Sequence, residues 1–415
     1  MCVKIEIITT GDELMSGLTQ DSNFSWAGDA LSSRGMAVDF HTTVGDYRES
    51  IVSALGIASG RADAVVVSGG LGPTPDDLTA EAAASFFGSP LELDESALRS
   101  IEERMKQRGR DVTEMNKKQA YLPRGSKVLL NSWGTAPGFG LEKGGTVFYF
   151  LPGVPKEFRA MMDEYVVPDL ERRASGRKSA VSRLIKTFGL PESEVAIKLE
   201  GIEREGIRLG YRAHYPEVHL RVTAFGDSDR EAEGLMEGFV TDVVTRLGSY
   251  VFSTEGESME EVVGIVLRRY GLTLATAESC TGGLISHRIT NVPGSSDYFL
   301  EGVVSYSNEA KQTLLGVPKD LLDTHGAVSA PVVEAMARGV KKLAGSDIGI
   351  AVSGIAGPGG GTAEKPVGTV FIGIDSGKGG TRSKKFLFHG TREEIKLVTS
   401  SHALRLIMQI FLNNV

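Results

Sequence analysis

The sequence predicts an α/β protein of three domains, and three observations carry that expectation. The chain has 415 residues, too many for one ordinary hydrophobic core. Short apolar runs alternate with helical patterns over residues 1–172 and again over 256–415, the rhythm of a mostly parallel sheet covered on both faces. Between these blocks, residues 173–255 read as a small α+β unit, entered through the polar, basic stretch Arg172-Arg173-Ala174-Ser175-Gly176-Arg177-Lys178, which suits a linker.

In the first block, residues 3–9 form an apolar strand that ends in Gly11-Asp12-Glu13. A helix over 23–34 stops at Gly35, and a strand follows over 36–44. Residues 47–59 place Ile51, Leu55 and Ala58 on one helical face. The strand 64–68 runs into Gly69-Gly70-Leu71-Gly72-Pro73-Thr74-Pro75-Asp76-Asp77, and a helix begins near 78 and continues through 84. Ligands of such sheets collect at the carboxyl ends of the strands. In the middle block, 182–188 and 219–225 read as strands, and 191–203 and 229–247 as helices. The last block holds a helix over 259–270, then a strand over 272–277, the turn Glu278-Ser279-Cys280-Thr281-Gly282-Gly283 and another helix. A strand over 302–306 and a helix over 308–315 follow. Ser329, Pro331 and Glu334 then mark a helix start running to 343. Strands are expected at 348–353, 367–374 and 384–388, and Thr391-Arg392-Glu393-Glu394 is a capping box opening a helix to 411.

Composition narrows the function classes. The net charge is −8, and residues 173–255 hold 12 Lys/Arg against 13 Asp/Glu, so the basic footprint that a phosphate polymer needs is missing. Two cysteines, Cys2 and Cys280, argue against a disulfide framework and a multi-cysteine zinc site. No apolar run approaches the roughly 20 residues that span a bilayer. The N-terminus reads as a strand carrying Lys4 and Glu6 rather than as a signal peptide, so a cytoplasmic address is expected.

Two turns carry candidate chemistry. Ser279 sits where a strand ends and a helix begins, with Thr281, Gly282 and Gly283 able to present N–H groups to a phosphate or to the oxyanion of acyl transfer. The alternative is that Ser279 only caps the helix. A nucleophilic hydroxyl needs a base. His287, His325, His389 and His402 fall outside any strand-end polar cluster and read as structural or solvent-facing. Lys311, one helical turn beyond the strand-end Tyr306, can serve if burial lowers its proton affinity; otherwise it is an ordinary surface lysine. Cys280 is the rival nucleophile. The loop Ser353-Gly354-Ile355-Ala356-Gly357-Pro358-Gly359-Gly360-Gly361 suits close backbone contact with a ligand, or a lid. In the first block, Gly69, Gly70, Gly72 and Thr74 form an anion cradle, and Asp76, Asp77 and Glu13 beside it make sense if a divalent cation bridges them to a phosphate. The competing reading is that Asp76 and Asp77 favour the positive end of a helix.

The three C-terminal stretches, with Lys365-Pro366-Val367-Gly368-Thr369-Val370, closely resemble the C-terminal domain of the CinA family, the nicotinamide mononucleotide deamidases. The resemblance implies hydrolysis of nicotinamide mononucleotide to nicotinate mononucleotide and ammonia without a metal or cofactor. It implies Ser279 as nucleophile, Tyr306 and Lys311 in its activating group, and substrate held near Thr281, Gly282 and the loop from Ser353. The N-terminal glycine turn, with Asn116-Lys117-Lys118-Gln119-Ala120, Gly134-Thr135-Ala136-Pro137-Gly138 and Leu151-Pro152-Gly153-Val154-Pro155, resembles the CinA branch of the molybdopterin-binding fold. That likeness implies an ADP-ribose pyrophosphatase dependent on Mg, Mn or Co, releasing AMP and ribose 5-phosphate. Pterin binding without catalysis is the alternative. The middle block is similar to a KH-like module but lacks a clear Gly-x-x-Gly loop, which favours a linker or homodimer contact over RNA binding. Expected partners are therefore small nucleotides and a second copy, with neither nucleic acid nor membrane. A non-enzymatic competence or DNA-damage factor, as the family name suggests, is the reading of a different class.

Overall fold

The structure is a computed structural model describing residues 3–174, 179–377 and 380–412, so most of the expected linker, 175–178, lies outside the described residues. The chain divides into two compact units. One comprises Met1–Ser182, Glu205–Ile207 and Thr223–Glu237; the other comprises Arg183–Arg204, Arg208–Val222 and Gly238–Val415. The middle block contributes to both.

In the first unit the strands are β1 (Ile5–Thr10), β2 (Val38–Val44), β3 (Ala64–Ser68), β4 (Leu91–Leu93), β5 (Tyr121–Pro123), β6 (Lys127–Leu129), β7 (Gly138–Lys143) and β8 (Thr146–Leu151). The main sheet has the order β2-β1-β3-β8-β7-β6. Its first four strands run parallel, and β7 and β6 are antiparallel. Strands β1, β3 and β8 are buried along their whole length, as strands covered on both faces must be. Alternation sends Ile8, Val65, Val67 and Phe150 to a core shared with Ile51 and Leu55, and Ile5, Ile7, Val66 and Tyr149 to one shared with Leu31 and Phe158. Glu6 breaks the apolar run and is fully buried. Arg61 grips it through Nε at 2.8 Å and Nη2 at 2.6 Å, and the Thr42 hydroxyl donates at 2.8 Å, the pairing a buried carboxylate requires.

The middle block forms the sheet β10-β11-β9-β12, with β9 (Ser179–Phe188), β10 (Ile207–His214), β11 (Glu217–Gly226) and β12 (Val251–Ser253). The helix expected over 191–203 is shorter, Glu192–Lys198; tight turns follow and Gly201 turns left-handed at φ +71°.

The second unit is built on β13 (Leu274–Glu278), β14 (Phe299–Val304), β15 (Ile348–Gly354), β16 (Thr369–Asp375) and β17 (Thr381–Leu387), in the order β14-β13-β15-β16-β17. The first three are parallel and the last two antiparallel. Ala275, Ala277 and Ala351 pack on the helix Ala330–Ala344, while Leu274, Ile350, Val352 and Ile372 face the helices Met259–Tyr270 and Arg392–Leu412. The capping box of the last helix forms as expected: Thr391 N–H donates to Glu394 at 2.6 Å, and Glu394 N–H to the Thr391 hydroxyl at 3.3 Å. No helix among the described residues is long and apolar enough to cross a membrane.

Candidate active site

The turn after β13 stands between the ends of two neighbouring strands. Ser279 N–H donates to Val352 O at 3.1 Å on the β15 side, and Ser305 N–H donates to Glu278 O at 2.9 Å on the β14 side. Glu278 then folds back and is wholly buried. Its carboxylate accepts from the N–H groups of Gly283 (3.0 Å), Ile285 (3.0 Å) and Ser286 (2.8 Å), and from the Ser286 hydroxyl (2.7 Å). It thus holds the first turn of the helix Leu284–Thr290, where free amides and a positive dipole end favour an anion. Gly282 and Gly283 take φ of +64° and +97°, a bend open to residues without a Cβ.

Lys311 arrives from the helix Asn308–Leu315, capped by Ser307. Its side chain is 1% exposed. Nζ lies 3.3 Å from Ser279 Oγ, 2.8 Å from Ser305 O and 3.4 Å from Tyr306 O. Burial lowers its pKa below the ordinary lysine value. Nζ meets all three oxygens as a donor; once deprotonated, it would keep two N–H donors for the two carbonyls and leave its lone pair for the Ser279 hydroxyl proton. Cys280 differs from its neighbour. It is buried among apolar side chains, and burial pushes its thiol up to about 12, so the thiolate that would be its reactive form is suppressed.

Several expected residues take other parts. The amides of Gly282 and Gly283 are not free: Gly282 donates to Ser279 O at 3.1 Å and Gly283 to Glu278. Those of Cys280 and Thr281 donate to no oxygen among the described residues. The Thr281 hydroxyl is buried without a partner. The Tyr306 side chain is exposed and does not bridge Ser279 to Lys311. Its hydroxyl accepts from Arg392 Nη2 at 3.1 Å, and Arg392 Nη1 donates to Gly357 O at 2.7 Å. Ser353 turns its hydroxyl to Ala327 O at 2.7 Å. Gly354 packs so closely that a Cβ would stand 2.7 Å from Val370. Lys396, one turn beyond Arg392, places its amine 3.9 Å from where a Cβ of Gly282 would be. Arg392, Lys396 and Glu278 were not among the expected site residues. His402 is enclosed by Phe188, Phe386 and Phe388, and its pKa falls to about 4 through burial; it takes no part here.

The N-terminal glycine turn builds a separate pocket of about 390 Å³ in the first unit. Gly69 and Gly70 are left-handed at φ +112° and +66°. A Cβ on Gly70 would meet the Thr79 hydroxyl at 2.2 Å, and one on Gly69 the Thr10 hydroxyl at 2.6 Å. Both hydroxyls are buried without partners. The amides of Gly70, Leu71 and Gly72 donate to no oxygen among the described residues. Lys118 braces the loop through Thr74 O (3.1 Å) and Asp77 O (2.9 Å), and Gln119 holds Leu71 O at 3.3 Å. Thr135, Ala136, Pro152 and Gly153 line the same pocket, so the four quoted N-terminal stretches meet there.

The expected cation triad is not assembled. Asp77 accepts from Thr74 N–H (2.8 Å) and the Thr74 hydroxyl (2.5 Å), both at Oδ2, so Thr74 is engaged with Asp77. Glu13, Asp76 and Asp77 all line the pocket, joined by Asp46, whose pKa is raised by burial and by the charges of Asp12, Glu13 and Asp76. Among the described residues no three His, Cys, Asp or Glu side chains converge to hold a metal ion.

Fold and site together define an α/β protein with a glycine-bearing strand-end turn in each unit, the C-terminal one bearing a serine against a buried lysine. Three family profiles cover the chain: "Probable molybdopterin binding domain" over residues 6–172, "Damage-inducible protein CinA KH domain" over 182–253, and "CinA C-terminal domain" over 256–411. A "CinA-like protein" of Geotalea uraniireducens is 44% identical over 404 residues, 97% of this chain and 96% of that one. Another, of Dictyoglomus turgidum, is 42% identical over 413 residues, 99% and 100% of the two chains. The crystal structure of a competence/damage inducible protein from Agrobacterium tumefaciens shares 38% identity, covering 38% of this chain and 98% of that one, with a TM-score of 0.36. The chain belongs to the CinA family.

Proposed function

We propose that the C-terminal unit is an amidohydrolase that converts nicotinamide mononucleotide to nicotinate mononucleotide and ammonia. The observation that carries this reading is the 3.3 Å approach of a buried Lys311, its pKa lowered by burial, to Ser279 Oγ. Lys311 takes the Ser279 proton, and Oγ attacks the carboxamide carbon. The amides of Cys280 and Thr281, which lie against the Cys280 thiol and donate to no oxygen among the described residues, are the donors offered to the resulting oxyanion. Lys311 returns the proton to the nitrogen, the C–N bond breaks, and ammonia leaves. Water then cleaves the acyl-serine ester and restores the hydroxyl. Arg392 and Lys396 give positive charge to the mouth for the phosphate of the substrate. Incubating the full chain with nicotinamide mononucleotide should release ammonia and the acid in equal amounts. Nicotinamide mononucleotide left intact would defeat the assignment.

A second reading, for the first unit, rests on the three unanswered amides beside the two unpartnered hydroxyls of Thr10 and Thr79. These donors fit a diphosphate, and ADP-ribose is the proposed ligand, cut to AMP and ribose 5-phosphate. A divalent ion would accompany the diphosphate, attracted by Glu13, Asp46 and Asp76. AMP release from ADP-ribose with Mg, Mn or Co, compared with chelator, tests this independently of the deamidation assay.

A further inference from the structure

The second unit contains another cavity, away from Ser279. It has a volume of about 230 Å³ and lies between β12, the end of β9, and the helices Met259–Tyr270 and Arg392–Leu412. Its wall is mainly apolar, with Phe188, Phe252, Met259 and Val262 among the lining residues, while the exposed Arg269 also lines it. Into this wall the last helix inserts Arg405.

The arginine is anomalous for such a place. Its guanidinium donates to Phe188 O and, at 3.4 Å, to Ser249 O. It lies 5.6 Å and 5.4 Å from the ring centres of Phe188 and Tyr250. Those contacts use two of the five N–H donors of the fork, and they are all neutral. No carboxylate among the described residues pairs with it. Burial works against its charge and lowers its pKa, yet a guanidinium stays protonated at any physiological pH. An unbalanced, half-buried cation against an apolar hollow is a complementary surface for an amphipathic anion.

We propose that this cavity is a binding site for a small aromatic monocarboxylate, its ring held among the apolar side chains and its carboxylate on Arg405. The size argues for this class. Drug-sized and nucleotide ligands occupy pockets of roughly 300–1,000 Å³, above the space here. A planar carboxylate also matches the two-pronged edge of an arginine better than a spherical anion does, and the flanking ring faces favour a planar partner.

Benzoate and its neutral amide, benzamide, are the probes. They are titrated into the full chain by ligand-observed NMR, with thermal melting used to confirm that each variant folds. Benzoate should saturate and bind at least tenfold more tightly than benzamide. Arg405→Gln should erase that preference, and Arg405→Lys should keep part of it. Val262→Phe, which fills the cavity and leaves Arg405 in place, should weaken both probes, and it decides the matter should Arg405→Gln unfold. Ser279→Ala should bind benzoate as the unaltered chain does, separating this cavity from the catalytic turn. Absent saturation, equal binding of acid and amide, or benzoate affinity unchanged in Val262→Phe would each overturn the proposal.

Discussion

The two glycine turns start from the same geometry and end in opposite electrostatic states. Each leaves the carboxyl end of a buried inner strand, β3 or β13, and each bends through paired left-handed glycines. At β13 the buried Glu278 receives four donors, and the lysine amine has an acceptor for each proton it carries when neutral. At β3 no buried carboxylate gathers the turn in this way: the Thr10 and Thr79 hydroxyls and three amides lack partners among the described residues, as the Thr281 and Ser305 hydroxyls do at β13, and burial with neighbouring acids raises the proton affinity of Asp46. The difference teaches where each site gets its order. The C-terminal turn is preorganised by its own side chains, which suits a nucleophile that must be aimed before substrate arrives. On the proposed reading the N-terminal turn would be completed by its ligand, which would link its stability to its affinity.

The most severe way to break the comparison is to remove the preorganised pair. Ser279→Ala should lower kcat for deamidation by roughly 10³-fold or more, and Lys311→Met by roughly 10²- to 10⁴-fold, while AMP release from ADP-ribose stays within twofold. In the unaltered enzyme the pH profile follows from the direction of the Lys311 shift. The ammonium cannot accept a proton, so kcat/KM should fall as pH drops through a lysine pKa below the ordinary 10.5, and that limb should vanish in Lys311→Met. A deamidation rate that is flat with pH, or one that survives either substitution, would show that the base lies elsewhere.

Glu278→Gln tests the preorganisation without touching the nucleophile. The amide keeps one acceptor oxygen and turns an NH2 toward groups that are donors themselves. Leaving buried donors unanswered should destabilise the second unit by about 2–4 kcal/mol, read as a shift in denaturant midpoint. Gly70→Ala is the counterpart in the first unit. Its Cβ would stand 2.2 Å from the Thr79 hydroxyl, on a backbone at φ +66°, a strain of about 1–3 kcal/mol. ADP-ribose should protect this variant from thermal unfolding less than it protects the unaltered chain, with deamidation untouched. Equal loss of both activities would show that the two sites are not independent.

What the sequence made legible was local. Ser279 at a strand end and Lys311 one turn into the next helix are set by spacing within single connections, and the glycines by the bends those connections need. Side chains that fold back on their own neighbourhood were misjudged. Asp77 reads as a free acid, but Thr74 lies three residues earlier and captures its carboxylate, the ordinary competition of short polar side chains for nearby backbone. Glu278 leaves a faint signal, an acid ending an otherwise apolar strand, yet its burial depends on the amides of the following helix. Asp46 and Lys396 reach their sites only through strand order, which no single window of sequence contains. Three-domain organisation was legible from the change of rhythm near 173 and 255. The sharing of the middle block between two units was not, because it depends on pairing across distant strands.

The smallest expected effect is at Arg392, and it sharpens the contrast most finely. Among the described residues, the hydrogen bonds of its guanidinium go to Tyr306 and Gly357 and not to Ser279 or Lys311. One guanidinium nitrogen holds the Tyr306 hydroxyl and another the Gly357 carbonyl, so it ties the β14 end to the glycine loop. On the proposed reading, a cation there would interact with the substrate phosphate equally before and during bond breaking. Such uniform binding appears in KM rather than kcat. Arg392→Ala should therefore raise KM for nicotinamide mononucleotide roughly 10-fold, the loss expected of a charge-assisted hydrogen bond, with kcat within about twofold. Arg392→Lys keeps the charge but cannot hold both partners at once, so it should recover only part of the loss. Nicotinamide riboside, which lacks the phosphate, is the control: its KM should be the same in all three proteins. If Arg392→Ala instead lowers kcat and spares KM, the arginine positions Tyr306 and the loop for catalysis, and the phosphate is read elsewhere.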